Sequence, residues 1–297
     1  VTAGVQGGRA EVVVSTEWLA AHLYDADVVV VDIRGKVLPP GSKPRYVPKR
    51  DDFDASHIPG AVFVDWTRDI VDLDDPVPSQ VAKPEAFAAK MGELGIGDDT
   101  LVVAYDDYDH IFAGRLAWAL RYYGHDKVRI LDGGFSRWVA EGRTTTSGVA
   151  SHKLGVFHPR PRPELRLEAD QVARMLGKSD VLLIDARPAE QYAGVVSAAA
   201  RGGHIPGARN VPYAKLVDPQ TGKFLGEGQL AKAFADAGID VKALPKDVVV
   251  YCNGGISCTV PQNALRMLGR HDVAVYDGSW NEWGNDEQRP AKTGGEP

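Results

Sequence analysis

KDVVVYCNGGISCTVPQNALRMLG, Lys246 to Gly269, is the stretch on which the rest of the chain turns. Val248, Val249, Val250 and Tyr251 form an unbroken β-branched and aromatic run, the pattern of a short buried strand. Cys252 follows, then Asn253, Gly254, Gly255, Ile256 and Ser257, then an apolar-periodic segment. Val260, Ala264, Leu265 and Leu268 share one helical face, and Gly269 suits the residue just past a helix end. Proline is tolerated only in a helix's first turn, so Pro261 puts the helix start near Cys258 or Thr259. The stretch is thus a strand, a loop led by a cysteine, and a helix N-terminus.

Such a loop is an anion cradle. Gly254 and Gly255 let the backbone curl so that successive N–H groups point inward. A thiol at its centre sits in positive partial charge, which favours the nucleophilic thiolate. Buried cysteines are often inert packing residues, but the strand end, the two glycines and the helix start make Cys252 the candidate nucleophile. Cys258 lies six positions on and is expected to pack in the first helical turn; the spacing is not CxxC.

Composition narrows the class. The chain has 297 residues, with 44% hydrophobic and 25% charged content, which fits a folded globular protein and argues against disorder. A net charge of −6 gives nucleic acid no global attraction. No apolar run is long enough to span a membrane. Two cysteines make neither a disulfide framework nor a structural zinc site, so no metal and no cofactor are expected. The chain opens VTAGVQGG, without a Met or a signal-like apolar core, which leaves room for a removed leader. A cytoplasmic, monomeric enzyme is the expectation.

Upstream, the same pattern appears once already. VVVVDIR (Val28–Arg34) returns as VLLIDAR (Val181–Arg187), an offset of 185 − 32 = 153 on the aspartate. SHIPGA returns as GHIPGA, with His57 matched by His204 (204 − 57 = 147). LVVAYD returns as VVVYC, with Asp106 matched by Cys252 (252 − 106 = 146). LDGGFSRW returns as YDGSWNEW, with Asp132 matched by Asp277 (277 − 132 = 145). Motif order and spacing are kept, so the chain holds two copies of one domain. The drop after the first offset places a longer loop in copy one, the proline- and base-rich Lys36–Arg50.

Helices are expected from Ser15-Thr16-Glu17 onward, over Pro84–Leu94 and over Ala113–Tyr123, with further strands at Leu101–Asp106 and from Val128. Residues 1–10 are glycine-rich and expected to fray. Pro159, Pro161 and Pro163 mark an extended linker. The expected division is a first domain over 1–145, a linker over 146–163 and a second domain over 164–297. Alternating buried strands and helices predict a mostly parallel sheet in each, with helices on both faces. Ligands in such sheets bind beyond the carboxyl ends of the strands, where Cys252 lies.

Residues shared by the copies are expected to serve the fold: Asp32 and Asp185 as turn caps, His57 and His204 as donors to loop carbonyls, Asp132 and Asp277 as turn formers. Trp280 and Trp283 are expected to pack near the site. Function should sit where the copies differ, and the main difference is Cys252 against Asp106. Copy one is therefore read as a non-catalytic scaffold.

Three chemistries fit a cysteine in an amide-lined loop. A cysteine phosphatase needs Cys-x5-Arg, but the sixth position after Cys252 is Cys258. Cys–His acyl transfer needs a base within reach, for which His57 and His204 are the candidates. Sulfur transfer needs only a thiolate that attacks the outer sulfur of a small anionic donor, with amides to hold the resulting persulfide.

On FDASHIPGAVFV, GHIPGA, CNGGIS and VYDGSWNEW, the whole chain resembles the tandem-domain rhodanese-type sulfurtransferases, the family of thiosulfate and 3-mercaptopyruvate sulfurtransferases. The resemblance implies two rhodanese-like domains and a ping-pong reaction through a Cys252 persulfide. Thiosulfate would leave as sulfite, and cyanide or a thiol would collect the sulfur. It also implies that Arg187 binds the donor's anionic end, beside the loop residues Asn253, Gly254, Gly255, Ile256 and Ser257. The alternative reading of Arg187 is a strand-end ion pair. The family's thiosulfate enzymes often carry a cation in the loop, and this loop has none; Arg201 or Arg209 is a possible substitute. Its mercaptopyruvate enzymes have a relay serine where this chain has Gly254, and a second arginine where it has Ala193. Thiosulfate is therefore the expected donor, with mercaptopyruvate, or a persulfide-carrier role for a protein partner, as alternatives.

Overall fold

Each valine-rich run of the repeat becomes an inner strand of its own sheet. The structure, a computed structural model, describes residues 8–39, 41–148 and 153–297. In the first copy, a 3-10 turn at Arg9–Glu11 leads into β1 (Val13–Val14) and α1 (Thr16–His22). The Ser15 side chain caps α1, accepting from the Trp18 amide at 3.1 Å. β2 (Val28–Asp32), β3 (Gly35–Val37), β4 (Tyr46–Pro48), α2 (Arg50–Ala55), β5 (Val62–Phe63) and α3 (Pro84–Glu93) follow. β6 (Leu101–Tyr105), α4 (Ile111–Tyr122), β7 (Val128–Leu131) and α5 (Gly134–Ala140) complete it. The second copy runs β8 (Arg166–Leu167), α6 (Ala169–Ala173), β9 (Val181–Asp185), α7 (Ala189–Tyr192), β10 (Arg209–Asn210) and α8 (Glu227–Asp236). It ends with β11 (Asp247–Tyr251), α9 (Thr259–Met267), β12 (Ala274–Tyr276) and α10 (Ser279–Trp283).

The two sheets have one topology. The first runs β1-β7-β6-β2-β5 and the second, from the matching edge, β8-β12-β11-β9-β10, with every pair parallel. Register repeats too: Asp32 lies opposite Tyr105, and Asp185 opposite Tyr251. Alternate strand residues feed different apolar clusters, as a period of two demands. Val248 and Val250 join a core shared by both copies, while Val249 and Tyr251 join one confined to copy two. Both faces of the sheet are thus covered.

The shared core centres on α4 and α9. Residues Ile111 to Arg121 of α4 are all buried, as are Thr259 to Leu265 of α9. A helix buried all round belongs inside the molecule. Gly114 permits their close approach, since a Cβ there would come within 2.5 Å of Thr259 Oγ1. Arg121 Nη1 donates to Asn263 Oδ1 at 2.8 Å across the contact. The N-termini of these two helices face Asp106 and Cys252, so the packing that joins the copies also fixes the site.

Two expectations are corrected. Lys36–Arg50 is not an irregular loop: β3 and β4 pair antiparallel, with Lys36 opposite Val47 and Val37 opposite Tyr46. Three-residue strands give too little alternation to stand out among four prolines. Residues 1–7 of the expected fray lie outside the described residues, but Arg9 is tied down, donating to Leu225 O at 2.8 Å and to Asp132 Oδ2 at 2.6 Å. In the linker, residues 149–152 lie outside the described residues. From Lys153 the chain runs without helix or strand as far as Arg162, pinned to copy one by Gly155 N to Gly92 O and Arg160 N to Tyr123 O, both 2.9 Å.

Candidate active site

β11 delivers Cys252 to the carboxyl edge of the second sheet, and α9 starts seven residues later with Cys258 as its N-cap. Gly255 has φ +73°, a conformation that suits glycine. A side chain there would also press against Asp277 and Arg115. The Ile256 amide donates to Cys252 Sγ at 3.2 Å. Burial pushes the Cys252 thiol up, but it is outweighed. Hydrogen bonds from the Cys258 and Ser257 side chains and from the Cys258 and Gly254 amides bring the thiol down to about 5. Cys252 is therefore a thiolate at neutral pH. Cys258 goes the other way: burial, then the neighbouring Cys252, push it well above the ordinary thiol range, so it stays a donor.

Not every loop amide turns inward. The Gly255 amide donates to Ser279 Oγ at 3.0 Å, as does the Cys252 amide at 3.1 Å. Ser279 Oγ in turn donates to Tyr276 O at 2.8 Å. The hydroxyl therefore pins both ends of the loop's first turn. Ser279 pays in backbone strain, with φ +54°. Its partner in copy one is Gly134 (279 − 145), with φ +58°. That glycine-to-serine difference inside a repeated motif was the available signal for Ser279, which the sequence reading passed over.

From behind, copy one grips the loop. Arg115 of α4, fully buried, donates through Nη1 to Gly255 O at 3.0 Å and to Asp277 Oδ1 at 2.6 Å, and through Nη2 to Ser79 O at 2.7 Å. Asp277 Oδ2 also accepts from the Val81 amide at 2.9 Å and Arg166 Nε at 3.1 Å. Asp132 repeats the theme, accepting from the Phe224 amide at 2.9 Å and from Arg9. These two aspartates are more than turn formers: each ties its own copy to the other. An arginine in the middle of the apolar run IFAGRLAWAL was the visible sign of Arg115.

Cys252, Asn253, Ile256 and Ser257 line a cavity of about 320 Å³. Gly254 and Gly255 do not line it; they shape the loop, Gly254 against Asn281 and Ser79. Asn253 Nδ2 donates to Gln191 Oε1 at 2.9 Å, which sets that wall. Copy one supplies the roof, Val37, Arg45 and Tyr46 of the hairpin with Tyr108 and Ile111, while Pro188 and Tyr213 close the side.

Arg187 is elsewhere. It is 1% exposed, donates to Asp185 at 2.6 Å and Gly203 O at 2.7 Å, and lies over the Trp280 ring. Arg34 does the same in copy one with Asp32, Ser56 O and the Phe135 ring. The expectation that Arg187 meets the donor is therefore corrected to the strand-end ion pair, buried rather than solvated. Its charge is still felt at the sulfur: burial pulls the Arg187 pKa down, and Asp185, Tyr251 and Cys252 more than restore it. Arg201 is spent on carbonyls of Trp283 and Arg289, and Arg209 is exposed beside Gly238. His57 and His204 bond Phe53 O at 2.7 Å and Tyr192 O at 2.8 Å. No histidine is among the described residues that line the cavity, so a Cys–His base is not assembled.

Comparisons with known proteins give the chain its family. The Rhodanese-like domain family matches residues 15–141 and again 168–286. "Sulfur carrier protein TtuD" of Thermus thermophilus is 36% identical, over 93% of this chain and 94% of that protein. "Putative thiosulfate sulfurtransferase 1" of Mycobacterium bovis is 31% identical, over 96% and 99%. The crystal structure of SseA from Escherichia coli, described as a 3-mercaptopyruvate sulfotransferase with the rhodanese fold, superposes with a TM-score of 0.79 at 32% identity, covering 90% of this chain and 98% of that one. The chain belongs to the rhodanese-like family, with the domain present twice. Within that family it is a sulfurtransferase of the rhodanese type.

Proposed function

We propose that Cys252 carries sulfur as a persulfide, taking it from thiosulfate and passing it to cyanide or a thiol. The observation that supports this is the cradle: the Ile256 amide donates to the Cys252 sulfur at 3.2 Å before the start of α9, donors rather than a histidine base converge on it, and they hold the thiol down to about 5. In the first half-reaction the thiolate attacks the outer sulfur of thiosulfate. A sulfur–sulfur bond forms to Sγ, the bond to the sulfonate sulfur breaks, and sulfite leaves with its electron pair. The persulfide keeps one negative charge, which the same amides receive. In the second half-reaction the acceptor attacks the outer sulfur and returns the thiolate. No proton need be moved by the protein, which fits a cavity without a histidine base.

The test is thiocyanate formation from thiosulfate and cyanide, with an intact-mass gain of one sulfur after thiosulfate alone. Activity that survives Cys252→Ala ends the assignment. A mercaptopyruvate donor is the second reading, and one contact favours it: the Ser257 hydroxyl lies against Cys252, where it can pass a proton to the departing carbon. Comparing the two donors' turnover per active site separates them. Stoichiometric loading with slow turnover to every small acceptor would mark a carrier instead.

A further inference from the structure

The loop holds no cation and Arg187, Arg201 and Arg209 do not line the cavity, but the other copy brings an arginine to it. Arg45 lies just before β4 and is the only cationic side chain among the described residues that line the cavity. Its Nε and Nη1 are buried and have no hydrogen-bond partner among the described residues. A guanidinium left unpaired against a cavity is unsatisfied until something anionic fills it. Arg115, Arg166 and Arg187 have carboxylate partners; Arg187 Nη1 is also unpaired, but Arg187 does not line the cavity.

The rest of the wall is not built for a bare inorganic ion. Val37, Ile111, Pro188 and Ile256 present apolar surface, and Tyr46 and Tyr213 add ring faces. A volume of about 320 Å³ would hold roughly ten waters at about 30 Å³ each, more room than thiosulfate fills. One cation also balances one negative charge, not two, beside a thiolate.

We propose that Arg45 binds the anionic end of the sulfur donor, and that the donor class the cavity prefers is a singly charged organic sulfur compound with an apolar body. This rests on the reading of Cys252 as the sulfur acceptor. The body lies along the hairpin and the tyrosine rings, and the transferable sulfur reaches Sγ. Tyr46 lies in the field of both ends: burial, then Cys252, push its hydroxyl up while Arg45 pulls it down. For an organic thiosulfonate, R–SO2–S⁻, the thiolate takes the outer sulfur, the bond to the sulfonyl sulfur breaks, and a sulfinate, R–SO2⁻, leaves with the electron pair. Thiosulfate is the case in which R is only an oxygen.

The experiment follows sulfur loading of the full chain by rapid-quench intact mass, with benzenethiosulfonate and thiosulfate as donors. The wild type is expected to load at lower concentrations of benzenethiosulfonate than of thiosulfate. Arg45→Gln is expected to raise the half-loading concentration about tenfold to a hundredfold, the range for losing a charge-assisted pair, with a far smaller change at saturating donor. Arg45→Lys should recover part of the loss. Equal donor dependence in wild type and Arg45→Gln overturns the role of Arg45, and a wild-type preference for thiosulfate overturns the organic class. Both results leave Cys252 loading intact. No sulfur on wild-type Cys252 from either donor overturns the underlying reading and this inference with it. An unchanged melting temperature in Arg45→Gln excludes a merely structural effect.

Discussion

Asp106 and Cys252 occupy the same place in the two copies, each just past the carboxyl end of its sheet's central strand and before the buried helix that follows. The Asp106 carboxylate accepts from the amides of Tyr108 at 3.0 Å, His110 at 3.1 Å, and Phe112 and Ala113 at 2.9 Å. The amides facing Cys252 are those of Gly254, Ile256 and Cys258, the same two-, four- and six-residue steps onward. One backbone cradle thus serves two anions. Copy one fills it permanently with a carboxylate; copy two fills it with a sulfur that can gain and lose another atom.

Exchange of the two anions tests that equivalence. Cys252→Asp should fold with a melting temperature at or above that of the wild type and load no sulfur. Asp106→Ala strands several buried amides, each costing about 1–3 kcal/mol when unsatisfied, so chemical denaturation should show a loss of at least about 3 kcal/mol. A loss below about 1 kcal/mol would mean that the copy-one cradle is not the stable anion site described.

The low thiolate pKa sets two pH profiles. The loading rate should rise through about pH 5 and then stay level to neutrality, followed by mass or by ultraviolet thiolate absorbance. For stability the sign is fixed by proton uptake: between about 5 and the ordinary thiol value near 8.5, the unfolded chain holds the proton and the folded chain does not. Stability of the wild type relative to Cys252→Ser should therefore rise across that window and flatten above it. A loading midpoint near 8 would remove the cradle's electrostatic role.

Arg187 gives a contrasting expectation. Its pair with Asp185 is buried, so Arg187→Met leaves a carboxylate without its partner, a loss of about 3–5 kcal/mol. Loading of the folded fraction should keep its dependence on donor concentration. A large rise in half-loading concentration without lost stability would return Arg187 to the donor site.

That contrast shows what the sequence could reveal. The repeat carried the fold, because buried parallel strands write themselves as VVVVD and VLLID and the offsets keep their order. It also carried Cys252, which stands where the repeat breaks. The same rule applied to Arg34 and Arg187, both in Asp-x-Arg after a strand, places them in the fold, whereas the family resemblance and the donor's negative charge pointed the other way. Arg45 was hidden for another reason. It belongs to the other copy and to a hairpin of three-residue strands, and local periodicity says nothing about which surfaces meet across a core.

Arg115 makes the catalytic loop depend on copy one. Its removal breaks one of the two arginine pairs of Asp277 and frees Gly255 O, so Arg115→Met should destabilise the chain by about 1.5–3 kcal/mol. Hydrogen exchange should quicken in the 252–258 loop and in the segment around Val81 together, since Arg115 bonds Gly255 O and Ser79 O and positions Asp277, which accepts from the Val81 amide. Exchange confined to copy one would show that the copies are not coupled through this pair.

Ser279 separates strain from function. At φ +54° a glycine is the relaxed choice, and copy one uses Gly134 at the matching position. Ser279→Gly should therefore relieve backbone strain while removing the hydroxyl that holds the Cys252 and Gly255 amides. Ser279→Ala loses the hydroxyl and keeps the strain. If the hydroxyl positions the loop, both variants should load sulfur about fivefold to thirtyfold more slowly at saturating donor, for the loss of roughly 1–2 kcal/mol of positioning. They should differ in melting temperature, with glycine the higher. Donor concentration dependence should barely move, because Ser279 does not line the cavity. A glycine variant that loads at the wild-type rate would show that the amides hold their places without the hydroxyl, leaving the helix N-terminus and the remaining inward amides to keep the sulfur negative.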